Sequence, residues 1–293
     1  MEDAVTTTDT PSPTREAEGR VWLITGASSG FGQAIAEAAL AAGDTVIAAA
    51  RRTEALDDLI AAHPDRAVAV RLDVTDTARI AEVVAEAVLW YGRIDVLVNN
   101  AGRGQVGAVE ETTDRELRDL MDVHFFGPAA LVRAVLPHMR SQKSGAIVQM
   151  SSFGGQLSVA GFGAYSATKC ALEGLSEALA QEVAPLGIKV LIVEPGAFRT
   201  SFFGAAMNES APLPAYEATV GPTRAGVEGG HGKQPGDPAK AAAAILGALD
   251  SDRTPLRLPL GNDSVDALKS HLDSVREELL AWEPVSRDVD FDA

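Results

Sequence analysis

Apolar positions recur along this chain in two alternating forms. Short continuous runs, "RVWLIT", "TVIAAA", "AVAVRLDV", "RIDVLVNNAG", "GAIVQMSS" and "GIKVLIVEPG", are separated by longer stretches whose apolar residues return every three or four positions. A continuous run of strand length suits a strand buried on both faces, and the wider spacing gives a helix one apolar stripe. The helices predicted are "GFGQAIAEAALAAG", ended by Gly43 where a left-handed cap is expected, "TEALDDLIAAH", "TARIAEVVAEAVLWYG", and two longer ones over about 113–140 and 163–185. Further on, "AKAAAAILGALD" reads as a helix, "TPLRLPLG" as a seventh strand and "DSVDALKSHLDSVREELLAW" as a terminal amphipathic helix.

Strands and helices in strict turn predict an α/β fold, a doubly wound Rossmann-type parallel sheet of about seven strands flanked by helices in a single domain. Ligands of such sheets bind beyond the carboxyl ends of the strands, so functional residues are sought in the turns that follow them. The domain is expected over 20–262. Residues 1–19 read as a disordered tail, and 263–293 as a helix and tail packed on the same domain. From about 197 to 238 the alternation yields to Gly/Pro-rich sequence with short helical pieces, a length of loop that is usually functional or mobile.

Composition narrows the partners. With 46% hydrophobic and 23% charged residues the 293-residue chain is an ordinary globular protein. Forty-one acidic against twenty-five basic residues give a formal charge of −16, which repels nucleic-acid phosphates and anionic membranes, so neither is expected as a partner. The acidic N-terminus has no apolar core of a signal peptide, and no apolar run reaches the roughly 18 residues of a membrane span. Cys170 stands alone, which excludes an intrachain disulfide and suits a reducing compartment, so a cytoplasmic location is expected. The five histidines, His63, His124, His138, His231 and His271, form no ligand-spaced cluster, and no metal is expected.

The first strand runs into "TGASSGFG" and then a helix. Glycines at 26, 30 and 32 let the backbone turn sharply and approach a pyrophosphate, while the helix N-terminus offers unpaired N–H groups and partial positive charge. Tyr165 and Lys169, four apart in a helical segment, share one face. A phenol of pKa about 10 is a poor proton shuttle at neutral pH, and an adjacent ammonium is expected to lower that value.

Together "TGASSGFG", "NNAG" at 99–102 and "YSATK" at 165–169 resemble the NAD(P)-dependent short-chain dehydrogenase/reductase family in its compact form, over roughly residues 19–260. The resemblance implies that Gly26, Ser28, Ser29, Gly30, Phe31 and Gly32 form the cofactor turn. Asp73 and Val74 of "LDVTD" would meet the adenine; a bland alternative makes Asp73 an ordinary helix start. Asn99, Ala101 and Gly102 would border the adenine ribose, and Pro195, Gly196 and Thr200 of "PGAFRT" the carboxamide. At the end of the second strand the family's acidic position falls on Ala50, followed by Arg51 and Arg52. A carboxylate holds the ribose 2′-hydroxyl of NAD and a guanidinium suits a 2′-phosphate, so NADP(H) is expected rather than NAD(H).

The resemblance also makes Tyr165 the acid/base, Lys169 its neighbour and a ribose contact, and Ser152, thirteen residues before Tyr165, the donor to the substrate oxygen. The family's fourth member is an asparagine, and here His124 stands in its place. Three readings of His124 stay open: a satisfied core histidine, a member of the proton relay, or a sign of altered or lost redox chemistry. "FRTSFFGAAM" offers Phe198, Phe202, Phe203 and Met207 as an apolar lid for a medium-sized hydrophobic ketone, aldehyde or alcohol. The long fourth and fifth helices resemble those that pair in the family's oligomers, so a homodimer or homotetramer is expected. The leading reading is an NADPH-dependent carbonyl reductase or alcohol dehydrogenase. A non-redox enzyme (dehydratase, isomerase or cyclase) or a catalytically silent NADP(H)-binding regulator are the alternatives; intact Ser152, Tyr165 and Lys169 stand against the regulator.

Overall fold

The computed structural model describes residues 14–17 and 19–291. Its strands are β1 (Val21–Thr25), β2 (Thr45–Ala50), β3 (Ala67–Arg71), β4 (Val96–Asn99), β5 (Gly104–Val106), β6 (Gly145–Met150), β7 (Ile188–Pro195), β8 (Met207–Glu209) and β9 (Arg257–Leu260). The helices are α1 (Gly30–Ala41), α2 (Asp57–Ala62), α3 (Thr77–Tyr91), α4 (Asp114–Met121), α5 (Gly127–Gln142), α6 (Gly163–Val183), α7 (Glu217–Gly230), α8 (Pro238–Asp250) and α9 (Asn262–Arg287). Seven strands make one parallel sheet in the order β3-β2-β1-β4-β6-β7-β9. Every residue of β1 and β2 is buried, as continuous apolar strands covered on both faces require. On one face Val83, Leu131, Val135 and Leu179 bring α3, α5 and α6 onto the sheet; on the other Ile35, Leu40, Ile245 and Leu249 bring α1 and α8. The strand order reverses between β1 and β4, which opens a crevice at their carboxyl ends.

Four regions differ from the sequence expectation, one of them the C-terminal segment, where α9 packs on the domain only through its first turns and runs on exposed past Leu268 instead of lying against it. The single long helix over 113–140 is α4 and α5 joined by a π turn, Asp122–Phe126. This stretch, Asp114–Gln142, is long and apolar enough by composition to cross a membrane, contrary to the expectation that nothing is. Half of its most apolar window is buried inside the protein, however, which is the place of a core helix. The Gly/Pro-rich region holds more structure than a loop. β8 pairs in parallel with β5, and α7 forms although its sequence carries four glycines and a proline. Tertiary contacts override those weak propensities: Val220 and Val227 are buried, and Arg224 pairs at 2.8 Å with the buried Glu111. At the N-terminus, Thr14 N and Arg15 N donate to Leu89 O and Trp90 O, and the Arg15 guanidinium lies 5.2 Å from the Trp90 ring centre. These residues are docked on α3, whereas 1–13 and 18 of the expected tail lie outside the described residues.

Where α1 crosses the end of β1, two backbones come so close that a Cβ on Gly32 would stand 2.3 Å from Gly26 O. Gly32→Ala is therefore expected to cost about 1–3 kcal/mol of stability. The check is the thermal unfolding midpoint, compared with Gly247→Ala in α8, where nothing lies within 4 Å of the added Cβ and the midpoint should hold or rise.

Candidate active site

The turns after β1, β2, β3, β4, β6 and β7 enclose a cavity of about 720 Å³ at the carboxyl edge of the sheet. Gly26 (φ 65°) and Gly30 (φ 56°) turn the chain in the left-handed region that favours glycine. The turn is braced from β4. Asn100 Nδ2 donates to Thr25 O (2.8 Å) and Gly26 O (3.2 Å), and Thr25 Oγ1 accepts from the N–H groups of Asn100 and Ala101. Ser29 caps α1 without a side-chain hydrogen bond, and no acidic residue stands in the first turn, so the helix keeps its positive end for an anion. Gly26, Ser28, Ser29, Gly30 and Phe31 line the cavity, while Gly32 lies beneath them against Gly26.

Arg51 and Arg52 line the same cavity and are exposed, with no ion-pair partner among the described residues. Ala50, at the position where a carboxylate would hold a ribose 2′-hydroxyl, is buried. Asp73 and Val74 also line it; the N-cap of α3 is Asp76, so Asp73 is not the helix start. Ala101 and Gly102 are at the wall, but Asn99 is not. It is buried in the sheet and donates to Gln149 Oε1 at 2.9 Å, and its neighbour Asn100 reaches the cavity. Pro195, Gly196 and Thr200 close the far side. Asp263, from the first turn of α9, accepts from Ala197 N at 2.6 Å and sits where a Cβ on Gly196 would be, 2.2 Å away. The glycine cradle and the uncapped helix end fit the pyrophosphate of a dinucleotide.

Ser152, Tyr165, Lys169 and His124 gather in this cavity, all buried. The Tyr165 ring is enclosed by Phe162, Phe202 and His124, with ring centres 5.5 to 6.0 Å away. Lys169 Nζ donates to Met150 O (2.8 Å) and lies 5.6 Å from the centre of the Tyr165 ring. The expectation that this ammonium lowers the phenol is not met. Burial pushes the Tyr165 phenol up, with the Ser152 hydroxyl pulling the other way, and burial brings Lys169 down to about 8 against the opposing charge of Glu173. In a dry aromatic enclosure the cost of removing a charge from water exceeds the attraction between the two groups.

His124 sits in the π turn, and both ring nitrogens are engaged. Nε2 accepts from Arg103 N at 3.0 Å, and Nδ1 lies 2.8 Å from Thr168 Oγ1. The Thr168 hydroxyl donates its hydrogen to Tyr165 O, so it accepts from Nδ1–H, which defines a neutral tautomer. Burial, Lys169 and Arg103 all hold the imidazole well below its usual range. Gly102 lets the ring approach: a Cβ there would stand 3.0 Å from Nε2. Of the expected lid, Phe202 and Phe203 line the cavity, and Phe198 lines it while packing on Phe31 (5.0 Å). Met207 instead covers Gly104 at the β5–β8 pairing.

Behind Lys169 lies a partly buried ionic cluster that sequence reasoning missed. Glu173, one turn further along α6, accepts from Ser151 Oγ (2.5 Å) and pairs with Arg257 of β9 (3.1 Å). Arg257 also reaches Glu177 (2.8 Å) and the fully buried Glu194 of β7 (3.3 Å), to which Gln156 donates. Burial pushes the Glu194 carboxyl up to about 7. The four-residue step from Lys169 to Glu173 was visible in the sequence. Arg257 and Asp263 carried no such signal, because their partners are distant along the chain.

A family model for short chain dehydrogenase matches residues 20–211. The oxidoreductase BOA17 of Botryotinia fuckeliana (strain B05.10) is 41% identical over 248 residues, covering 84% of this chain and 90% of that protein. Among solved structures, a short-chain dehydrogenase from Streptomyces avermitilis is 69% identical with a TM-score of 0.89, covering 93% of this chain and 98% of that one. A short chain dehydrogenase from Burkholderia cenocepacia J2315 in complex with NADP is 28% identical with a TM-score of 0.70, covering 90% and 97%.

The raised Glu194 has a measurable consequence. The folded protein keeps that proton up to about pH 7 and the unfolded chain releases it near 4.5, so the contribution of Glu194 to stability falls as pH rises between the two. In Glu194→Gln this contribution should vanish, read as a urea midpoint that falls less, or rises more, across that interval than in the unmodified protein, the opposite contribution of His124 being common to both.

Proposed function

This chain belongs to the short-chain dehydrogenase/reductase family of oxidoreductases, and from that premise we propose that it interconverts a carbonyl and an alcohol with NADP(H). The substrate class is a ketone, aldehyde or secondary alcohol of medium size and hydrophobic character. One observation carries this reading: Ser152, Tyr165 and Lys169 stand in the same cavity as the glycine turn. The choice of NADP(H) rests on Arg51 and Arg52 at the wall and on the absence of a carboxylate at Ala50. The substrate class rests on the apolar lining by Leu157, Val159, Phe162, Phe202 and Phe203.

A bound nicotinamide supplies or accepts the hydride. The chain's own residues handle the oxygen and the proton. Ser152 Oγ accepts from Gly154 N at 3.1 Å, its contact with Pro195 O is long at 3.5 Å, and its hydroxyl hydrogen-bonds the Tyr165 side chain, so the two hydroxyls stand together to meet a carbonyl oxygen. Tyr165 keeps its proton in the dry site and gives it up as negative charge develops on that oxygen. In oxidation the tyrosine must take the proton, and the Lys169 charge favours the phenolate as long as the lysine itself stays protonated, below about pH 8. His124 acts as a brace. Its neutral ring ties the Arg103 backbone to Thr168 on the Tyr165 helix, and with both nitrogens committed it gives the non-redox reading no support.

Tyr165→Phe should lower kcat by about 10²- to 10⁴-fold for ketone reduction, followed as loss of NADPH absorbance, with NADPH binding retained. Undiminished turnover would remove this mechanism. Arg51→Asp should raise the KM for NADPH about tenfold or more relative to that for NADH; an unchanged ratio contradicts the cofactor assignment.

A further inference from the structure

The last helix carries an apolar stripe that nothing among the described residues covers. Ser264 and Leu268 are buried at the start of α9, but from Lys269 to Arg287 every residue except the half-buried His271 and Glu283 is exposed. Along it Val265, Leu268, Leu272, Val275, Leu279 and Trp282 follow alternating steps of three and four, the spacing of a coiled-coil seam. The last four project into water, 56%, 46%, 64% and 65% exposed. A helix of this length is marginal in water without a packed face, and a contiguous row of large apolar side chains marks an interaction site rather than ordinary surface scatter.

We propose that this seam docks a second copy of the same chain, the two α9 helices lying antiparallel about a two-fold axis between Val275 and Leu279. A two-fold contact needs a surface that complements itself, and the charges beside the seam do so in one orientation. Taking Leu272 and Leu279 as a, and Val275 and Trp282 as d, the flanking e positions are Arg276 and Glu283 and the g positions His271 and Glu278. With the helices antiparallel, Leu272 meets Trp282 of the second copy, Val275 meets Leu279, and Arg276 faces Glu283 twice by symmetry. One like-charge meeting, Glu278 with its equivalent across the axis, opposes these two attractive pairs. With the helices parallel, Glu278 faces Glu283 twice and His271 faces Arg276 twice, so no pair is attractive. Arg276 has no ion-pair partner of its own among the described residues, and Glu283 is held only by the exposed Arg287. The pairing uses only exposed side chains, so each body keeps its contacts with the first turns of α9.

The test is molar mass in solution by light scattering, with the full chain. The unmodified protein should be a dimer or an even-numbered assembly, and Leu272→Asp with Leu279→Asp should halve its mass while circular dichroism shows the body folded. Glu283→Arg and Arg276→Glu should each weaken association about tenfold, and the two together should restore it, because each charge pair occurs twice. The parallel arrangement predicts the opposite for Glu283→Arg, which would strengthen association and overturn the assignment. A monomeric unmodified protein, or an assembly whose mass ignores Leu272→Asp with Leu279→Asp, would equally overturn it, the latter by assigning association to another surface or the seam to another partner.

Discussion

The carboxyl edge of the sheet depends on one contact, the approach of the turn after β1 to the turn after β4. Gly32 and Gly26 leave out the two Cβ atoms that would collide there, and the Asn100 amide fills the gap with hydrogen bonds to Thr25 O and Gly26 O. The same residues aim the start of α1 and set Ala101 and Gly102 at the cavity wall. From Gly102 the constraint passes to His124, whose ring a Cβ on that glycine would crowd at 3.0 Å, and through Thr168 to the helix bearing Tyr165 and Lys169. The cofactor turn and the acid/base pair are thus parts of one packed unit.

Dryness sets the chemistry of that unit. The phenol is enclosed by three rings, the ammonium is buried against a backbone carbonyl, and the imidazole is sealed between two protein partners. Burial is the first cause of the shift in each of them, and each is driven toward its neutral form. Against this, Glu173 supplies a negative charge one turn from Lys169, and Arg257 holds Glu173, Glu177 and Glu194 together behind it. The partly exposed Arg257 adds little net stability through these pairs, but removing it would leave the buried Glu173 without its ion-pair partner. The cluster therefore ties β7, β9 and α6 to one another at the back of the site.

The parallel sheet was legible because strands buried on both faces must be largely apolar, and β1, β2, β6 and β7 are, with Gln149 and Glu194 as buried polar exceptions and Lys189 exposed. α7 was hidden by its glycines and proline, and Val220, Val227 and Arg224 win its helix through contacts made far along the chain. The π turn at Asp122–Phe126 has no sequence pattern of its own. It is a local accommodation inside an otherwise regular apolar helix.

The glycine turn, the Tyr165–Lys169 step and Ser152 could be found in the sequence because each is a local spacing that a strand end or a helix turn converts into proximity. Only the tertiary structure decided that Asn100 rather than Asn99 faces the cavity, that Asp263 clamps Gly196, and that His124 is neutral with both nitrogens engaged. These depend on which side of a turn a side chain leaves and on partners brought together from distant segments. Local periodicity fixes the elements and their order; contacts between remote residues, and the water they exclude, fix what each side chain in the site is able to do.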